Sequence, residues 1–487
     1  MSVYTCDIAV IGAGSGGIAA AVTAARHGLS VLLVEQADLI GGTAVRAGVH
    51  CWEMGAGGTG LPFDIYRRMN RLRGAVGIYS CGRHMSWYDP AREPYRFPGG
   101  ERILDPGKRY VDTLQRHGAP GGQPTPEFVR RVWHGVPFEM EDYCSVLEEM
   151  LAETGRCEVV VGTGITDAMV QQGKIRSILL TNGSEVMATA YIDATADVCL
   201  CRVSGCVTLI GQDAQEAFGE PSAPERPNDN VNGVTLAYRV TRALASGVES
   251  LPTGIGHRCW WATHYPVASF NPYPRGDINV NMLPTMEGTE YLAMRSATAY
   301  QECRRRVLAH WHNLQSRYDE FRDFRMAWIA PSMGVRESYR TLCEHMLTEQ
   351  DIRAGGGGRQ YDDVIAIADH ALDTHGRSTG RRLCSELEEP YGVPYRCLVP
   401  RGYRNLLVAC RGAGFTSIAA SSCRLSRTMM QLGQAAGTAA ALARDHDVAL
   451  PDVPPKELRR RLYRQYAQVD WPVSAELHAH LRDEGAP

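Results

Sequence analysis

The sequence predicts an α/β fold: a parallel, Rossmann-like sheet, a small antiparallel unit and a β-rich cap. Three observations carry this expectation. The apolar run Ile8–Ile11 leads into Gly12-Ala13-Gly14-Ser15-Gly16-Gly17. A helical stretch of small residues then runs to His27, and a second apolar run, Val31–Val34, ends on Glu35. Strand, glycine turn, helix, strand and acidic residue in register form the first βαβ half of a dinucleotide site.

Each residue type has a physical task there. Gly12 permits the tight turn, Gly14 lets backbone approach a pyrophosphate, and Gly17 lets the helix pack on the strand. Ser15 opens a helix whose free N–H groups and dipole favour negative charge. Glu35 is placed to accept from ribose hydroxyls. The pair Gly42-Thr43, after Gly41, allows a second close backbone approach.

Further elements follow in order. Residues 55–60 and 118–124 punctuate a weakly periodic excursion. Residues 139–154 read as an amphipathic helix with Tyr143, Val146, Leu147 and Met150 on one side. Cys157–Val161 is a strand, and the runs 175–180 and 186–192 suggest a small antiparallel unit. A polar linker at 221–232 opens a mixed, aromatic-rich segment. Tyr391–Pro400 is extended, Asn405–Ala409 is a strand, and Arg424–Ala443 is a long helix with a small-residue stripe that includes Gly433 and Ala436. The expected division is therefore a discontinuous nucleotide-binding domain (1–60, 136–215 and 376–450). To it are added an excursion (61–135), a substrate or cap domain (216–375) and a helical C-terminal tail (451–487).

Composition narrows the function. A net charge of −3 gives no basic excess for nucleic acid, and no apolar stretch approaches a membrane span. The first strand begins at once, which predicts no signal peptide and a cytoplasmic protein. Fifteen cysteines with no CxxC spacing suggest reduced thiols and neither a metal site nor an iron–sulfur cluster. Only Lys108, Lys174 and Lys456 are lysines, so arginine is the expected anion ligand.

These motifs together resemble the FAD-dependent oxidoreductases with a glutathione-reductase-type fold, on the branch of fumarate-reductase-like flavoproteins. Besides the N-terminal glycines and Glu35, the resemblance rests on several later motifs. They are Asp193-Ala194-Thr195-Ala196-Asp197, Met333–Ser338, Asp373-Thr374-His375, Tyr391–Pro400, Asn405–Arg411 and Gly433–Gly437. It implies FAD as cofactor. The expected FAD contacts are Gly12, Gly14, Ser15, Gly17, Glu35, Gly42, Thr43, Gly164, Ala194, Arg411, Gly433 and Ala436. Ala196 and Cys410 replace glycines usual in the family, and residues 415–422 lack its histidine. No second GxGxxG is present, so electrons pass to or from substrate, dioxygen or a separate carrier.

For catalysis, His375 is the first candidate for a base, since imidazole titrates near neutrality. His50 is a second candidate, and it or Cys51 could tether a flavin, although non-covalent binding is expected. The resemblance puts Tyr395 and Arg396 beside the flavin. Arg336 and Arg340 suit an anionic group. His257, Trp260, Trp261, His264 and Tyr265 form either a pocket wall or core. The expected activity is hydride transfer from a small organic substrate. The alternatives are a reductase or hydroxylase fed by an external donor, or a flavin-dependent RNA-modifying or scaffold protein. Oligomeric state stays open.

Overall fold

The computed structural model describes residues 2–80, 84–86, 93–96, 107–119, 124–257, 267–294, 296–356, 361–376 and 384–485. Its first sheet is built from β1 (Val3–Ile11), β2 (Val31–Val34), β3 (Cys157–Val160), β4 (Ile165–Gln171), β5 (Lys174–Leu180) and β6 (Glu185–Asp193). The spatial order is β3-β2-β1-β6-β5-β4, and Leu406–Val408 also pairs with β6. β3, β2, β1, β6 and Leu406–Val408 run parallel. β5 is antiparallel to both β6 and β4, which is the expected small antiparallel unit. The central strands bury both faces, as their unbroken Val, Ile, Leu and Ala content requires. The carboxyl ends of β1, β2, β6 and Leu406–Val408 therefore share one edge, where open α/β sheets bind ligands.

Helix α1 (Ser15–Arg26) crosses from β1 to β2 and lies against the long helix Ser426–His446. Glycine makes that approach possible. A Cβ on Gly433 would lie 2.0 Å from the carbonyl oxygen of Gly16, and one on Gly437 2.5 Å from that of Ala20. The small-residue stripe is thus a helix–helix seam.

The second sheet is antiparallel. It contains β7 (Tyr238–Arg242), β8 (Val267–Pro272), β9 (Ile278–Leu283) and β10 (Phe324–Ile329), in the order β10-β7-β9-β8. His84–Ser86 and Tyr95–Arg96 extend it beyond β8, so part of the 61–135 excursion joins this sheet. The 22-residue helix α2 (Ser296–Arg317) covers one face with Ala299, Cys303, Val307, Trp311 and Leu314. The middle segment is therefore a sheet backed by a helix rather than only β-rich. Its tail departs from the expected boundary as well. Val364–Ala368 pairs with Tyr391–Pro394, and Leu347, Ile352, Ile365 and Leu372 pack into the nucleotide-domain core. The C-terminal helices bury Leu458, Leu462, Leu477 and Leu481 in that same core.

Candidate active site

A cavity of about 1180 Å³ runs from the first glycine turn to the face of the second sheet. That is more than one small ligand fills, and it suits a dinucleotide with a substrate beside it. At the nucleotide end, Gly14 caps α1 without any side-chain hydrogen bond, leaving the helix N-terminus open to the cavity. A Cβ on Gly14 would meet nothing within 4 Å among the described residues beyond its chain neighbours, whereas one on Gly12 or Gly17 would strike backbone at 2.6 or 1.7 Å. Gly12 and Gly17 thus serve the fold, and Gly14 leaves room for a ligand. Glu35 holds the turn through the N–H groups of Ala13 (2.7 Å) and Ala37 (2.8 Å). Ser15, Gly42, Thr43, Gly164, Ala194 and Arg411 also line the cavity. Arg411 is fixed by Asp197 and Ser338, each at 3.1 Å. An open helix N-terminus, a glycine cradle and an acidic strand end are the parts an FAD requires.

Gly433 and Ala436 do not reach this cavity. Gly433 is turned into the seam with α1 and Ala436 is fully buried, and their helix meets the cavity through Leu425, Ser426 and Met429 instead. Tyr395 and Arg396 are also elsewhere. The Tyr395 hydroxyl is buried and donates to the Leu450 carbonyl, while Arg396 pairs with Asp363. Arg340 is buried against Asp213 and the Gly211 carbonyl, off the cavity. Trp260, Trp261, His264 and Tyr265 lie outside the described residues. His257 faces His312 at 3.3 Å, away from the cavity.

His375 and Arg336 do meet on the cavity wall. His375 Nε2 lies 2.6 Å from Asp373 Oδ2, and Arg424 reaches the same oxygen at 2.9 Å. Burial pushes the imidazole down to about 4, against the pull of Asp373 and with help from Arg336. Burial alone would raise Asp373, but His375 and Arg424 hold it well below the usual carboxylate range. The neutral ring therefore donates Nε2–H to Asp373, which leaves Nδ1 as the basic atom. Arg336 donates from Nη1 to Thr235 Oγ1 (2.6 Å) and the Gly233 carbonyl (3.2 Å). Its Nε and Nη2 have no hydrogen-bond partner among the described residues, and no carboxylate there pairs with it. Burial, then Arg424, pushes this guanidinium down to about 9.

His50 also lines the cavity. Its Nδ1 bonds the Tyr273 hydroxyl, and Nε2 is buried without a partner among the described residues. Burial pushes its pKa down to about 3. The Cys51 thiol lies 3.1 Å from the Tyr79 hydroxyl.

Two groups of wall residues escape sequence reading. One is a charged cluster in which Arg116 grips Glu386 with two 2.8 Å bonds and reaches Glu53 Oε2 at 3.0 Å. His370 Nε2 lies 3.6 Å from that same oxygen. The other is the open face of the second sheet. Alternation sends Ala268, Phe270, Val280 and Met282 to apolar packing and sends Ser269, Asn271, Asn279 and Asn281 to the cavity. Ser269 pairs with Asn281 and Asn271 with Asn279 in the β8–β9 register. The period-2 polar pattern at 269/271 and 279/281 was the available signal.

The profile of the FAD dependent oxidoreductases matches residues 7–462. The chain belongs to that family, and it is an FAD-dependent oxidoreductase. It is 32% identical over 89 residues to a 3-oxosteroid 1-dehydrogenase of Rhodococcus opacus, which is 18% of each chain. It is 48% identical over 48 residues to a 4-oxocyclohexanecarboxylate 2-dehydrogenase of Sinomonas cyclohexanicum, or 10% of this chain and 8% of that one. The chain thus matches less than a fifth of either relative's length. A geranylgeranyl bacteriochlorophyll reductase-like structure from Thermoplasma acidophilum aligns at 14% identity and a TM-score of 0.47, covering 99% of this chain and 97% of that one. Among the described residues no His, Cys, Asp and Glu cluster could hold a metal, and no helix is long and apolar enough to cross a membrane.

Proposed function

We propose that the protein is a dehydrogenase or desaturase that oxidises a small organic substrate carrying an anionic group. One observation carries this reading: the hydrogen-bonded His375–Asp373 pair and the unpaired edge of Arg336 share the wall of the cavity onto which the nucleotide turn opens. Bound FAD supplies a hydride acceptor at flavin N5. The chain's own residues do the rest. Arg336 takes the anionic group through its open Nε and Nη2, a geometry that favours bidentate carboxylate binding. His375 Nδ1 takes the proton released as hydride departs, and Asp373 fixes the tautomer and steadies the imidazolium that forms. The sheet face of Ser269, Asn271, Asn279 and Asn281 contributes polar contacts from the other side.

The names of the two curated relatives, both dehydrogenases, favour oxidation over the other reactions of flavoenzymes. Dioxygen or a separate carrier then reoxidises the flavin. The cysteines whose side chains the structure describes are free, which favours a reducing, cytoplasmic setting. The test is anaerobic titration of the purified holoenzyme with a panel of organic acids and their neutral analogues. Flavin bleaching by an acid and not by its neutral analogue supports the reading. Bleaching by NAD(P)H alone contradicts it.

A further inference from the structure

Arg336 marks one charged subsite on this cavity, and the cluster around Glu53 marks another of opposite character. In the cluster around Glu53, one guanidinium, that of Arg116, faces two carboxylates, Glu53 and Glu386. Around Arg336, two guanidiniums, its own and that of Arg424, face the single carboxylate of Asp373. By these ion pairs the first subsite has one carboxylate more than guanidiniums, and the second has one guanidinium more than carboxylates. Each also has open valences. Glu53 Oε1 accepts no hydrogen bond among the described residues, and 46% of its side chain is exposed where it lines the cavity. Burial would raise the Glu53 carboxyl, but His370 and Arg116 hold it far below the usual range.

The two subsites are close but do not neutralise each other. Glu53 acts on the Arg336 guanidinium electrostatically, yet no oxygen of Glu53 comes within ion-pair distance of it. Opposite charges left apart on the walls of one cavity favour a ligand that carries both complementary charges. The sheet face agrees on the donor side. Asn279 Nδ2 donates to the Gly48 carbonyl at 2.8 Å, which fixes the amide and leaves Oδ1 a buried acceptor with no partner among the described residues. Asn281 Oδ1 is in the same state. Met54, Tyr79 and Trp133 line the same cavity and supply apolar surface.

Resting on the reading of Arg336 above, we propose that the substrate is zwitterionic: an amino carboxylate whose carboxylate sits on Arg336 and whose ammonium sits on Glu53, with Asn279 as a specificity-determining acceptor. A simple carboxylic acid would leave Glu53 unanswered, and a simple amine would leave Arg336 so.

Binding is measured by anaerobic calorimetry on the oxidised holoenzyme, independently of turnover. The probes are aromatic and aliphatic amino carboxylates, each with its matched acid lacking the amine and its matched amine lacking the carboxyl. At least one amino carboxylate is expected to bind tenfold or more tightly than both matched partners. Glu53→Gln should abolish the preference over the acid while Arg336 still selects carboxylate. Glu53→Asp, which keeps the charge beside Arg116, should retain much of that preference and guards against a folding defect in the amide variant. Equal binding of acid and amino carboxylate, or an unchanged preference in a folded Glu53→Gln protein, would overturn the proposal. Tight binding of an amino carboxylate without flavin bleaching keeps the zwitterion site and refutes the dehydrogenase reading instead.

Discussion

His375 Nε2 stands 2.6 Å from Oδ2 of Asp373, two residues earlier on the same turn, and Arg424 holds that same oxygen from the other side. A histidine beside a carboxylate ordinarily gains a proton more easily. Here burial and two guanidiniums outweigh the carboxylate and lower its pKa from 6.5 to about 4. A base acting as the neutral ring should keep its full rate through neutrality and lose it only as the pH falls toward about 4. Rapid-mixing measurement of flavin reduction against pH checks this, and an acid limb centred at 6.5 would contradict it.

The same shift sets a stability trend. Between pH 6.5 and about 4 the unfolded chain protonates His375 while the folded protein does not. Stability from this group is therefore intact above 6.5 and lost as pH falls through that window. Asp373, held low in the fold, acts in the same direction at still lower pH. Thermal melts of His375→Asn should show a shallower decline between pH 6.5 and 4 than the parent.

Gly14 and Gly433 should separate cofactor binding from folding. Gly14 has an extended backbone and no neighbour where a Cβ would project, so Gly14→Val should fold yet purify colourless. Gly433→Val drives a side chain into the Gly16 carbonyl and should destabilise by about 1–3 kcal/mol or more, the usual range for overpacking. Melting curves and flavin content of the two variants test the distinction. A yellow Gly14→Val protein would misplace the pyrophosphate.

Arg336→Gln removes the open guanidinium edge. Loss of a charge-assisted pair worth about 1.5–3 kcal/mol should raise KM for an anionic substrate roughly 10- to 100-fold. Flavin content should stay full, because no group of the nucleotide turn touches Arg336. Steady-state kinetics with flavin quantitation checks both halves.

What the sequence disclosed was local. The glycine turn, Glu35, the strand ending at Asp193 and the long helix at 426–446 are short-range patterns with fixed spacing, and each occupies the expected element. Gly433 and Ala436 misled because a small-residue stripe serves a helix seam as well as a ligand. Tyr395 and Arg396 belong to a recognisable motif, but a 3-10 turn at Tyr395–Leu398 carries them toward Leu450 and Asp363. The charged cluster was invisible for another reason. Glu53, Arg116, His370 and Glu386 come from distant segments, and only the tertiary fold sets Glu53 and Glu386 around the Arg116 guanidinium and His370 beside Glu53.

The central claim is that this cavity oxidises a small anionic substrate with His375 as proton acceptor. Anaerobic rapid-mixing reduction of the holoenzyme and of His375→Ala by the same bleaching substrate tests it most directly. The account predicts a fall of about 10²–10⁴-fold in the variant at full FAD occupancy, the usual span for general-base catalysis. Reduction of the variant at the parental rate, with an unchanged pH profile, would contradict it.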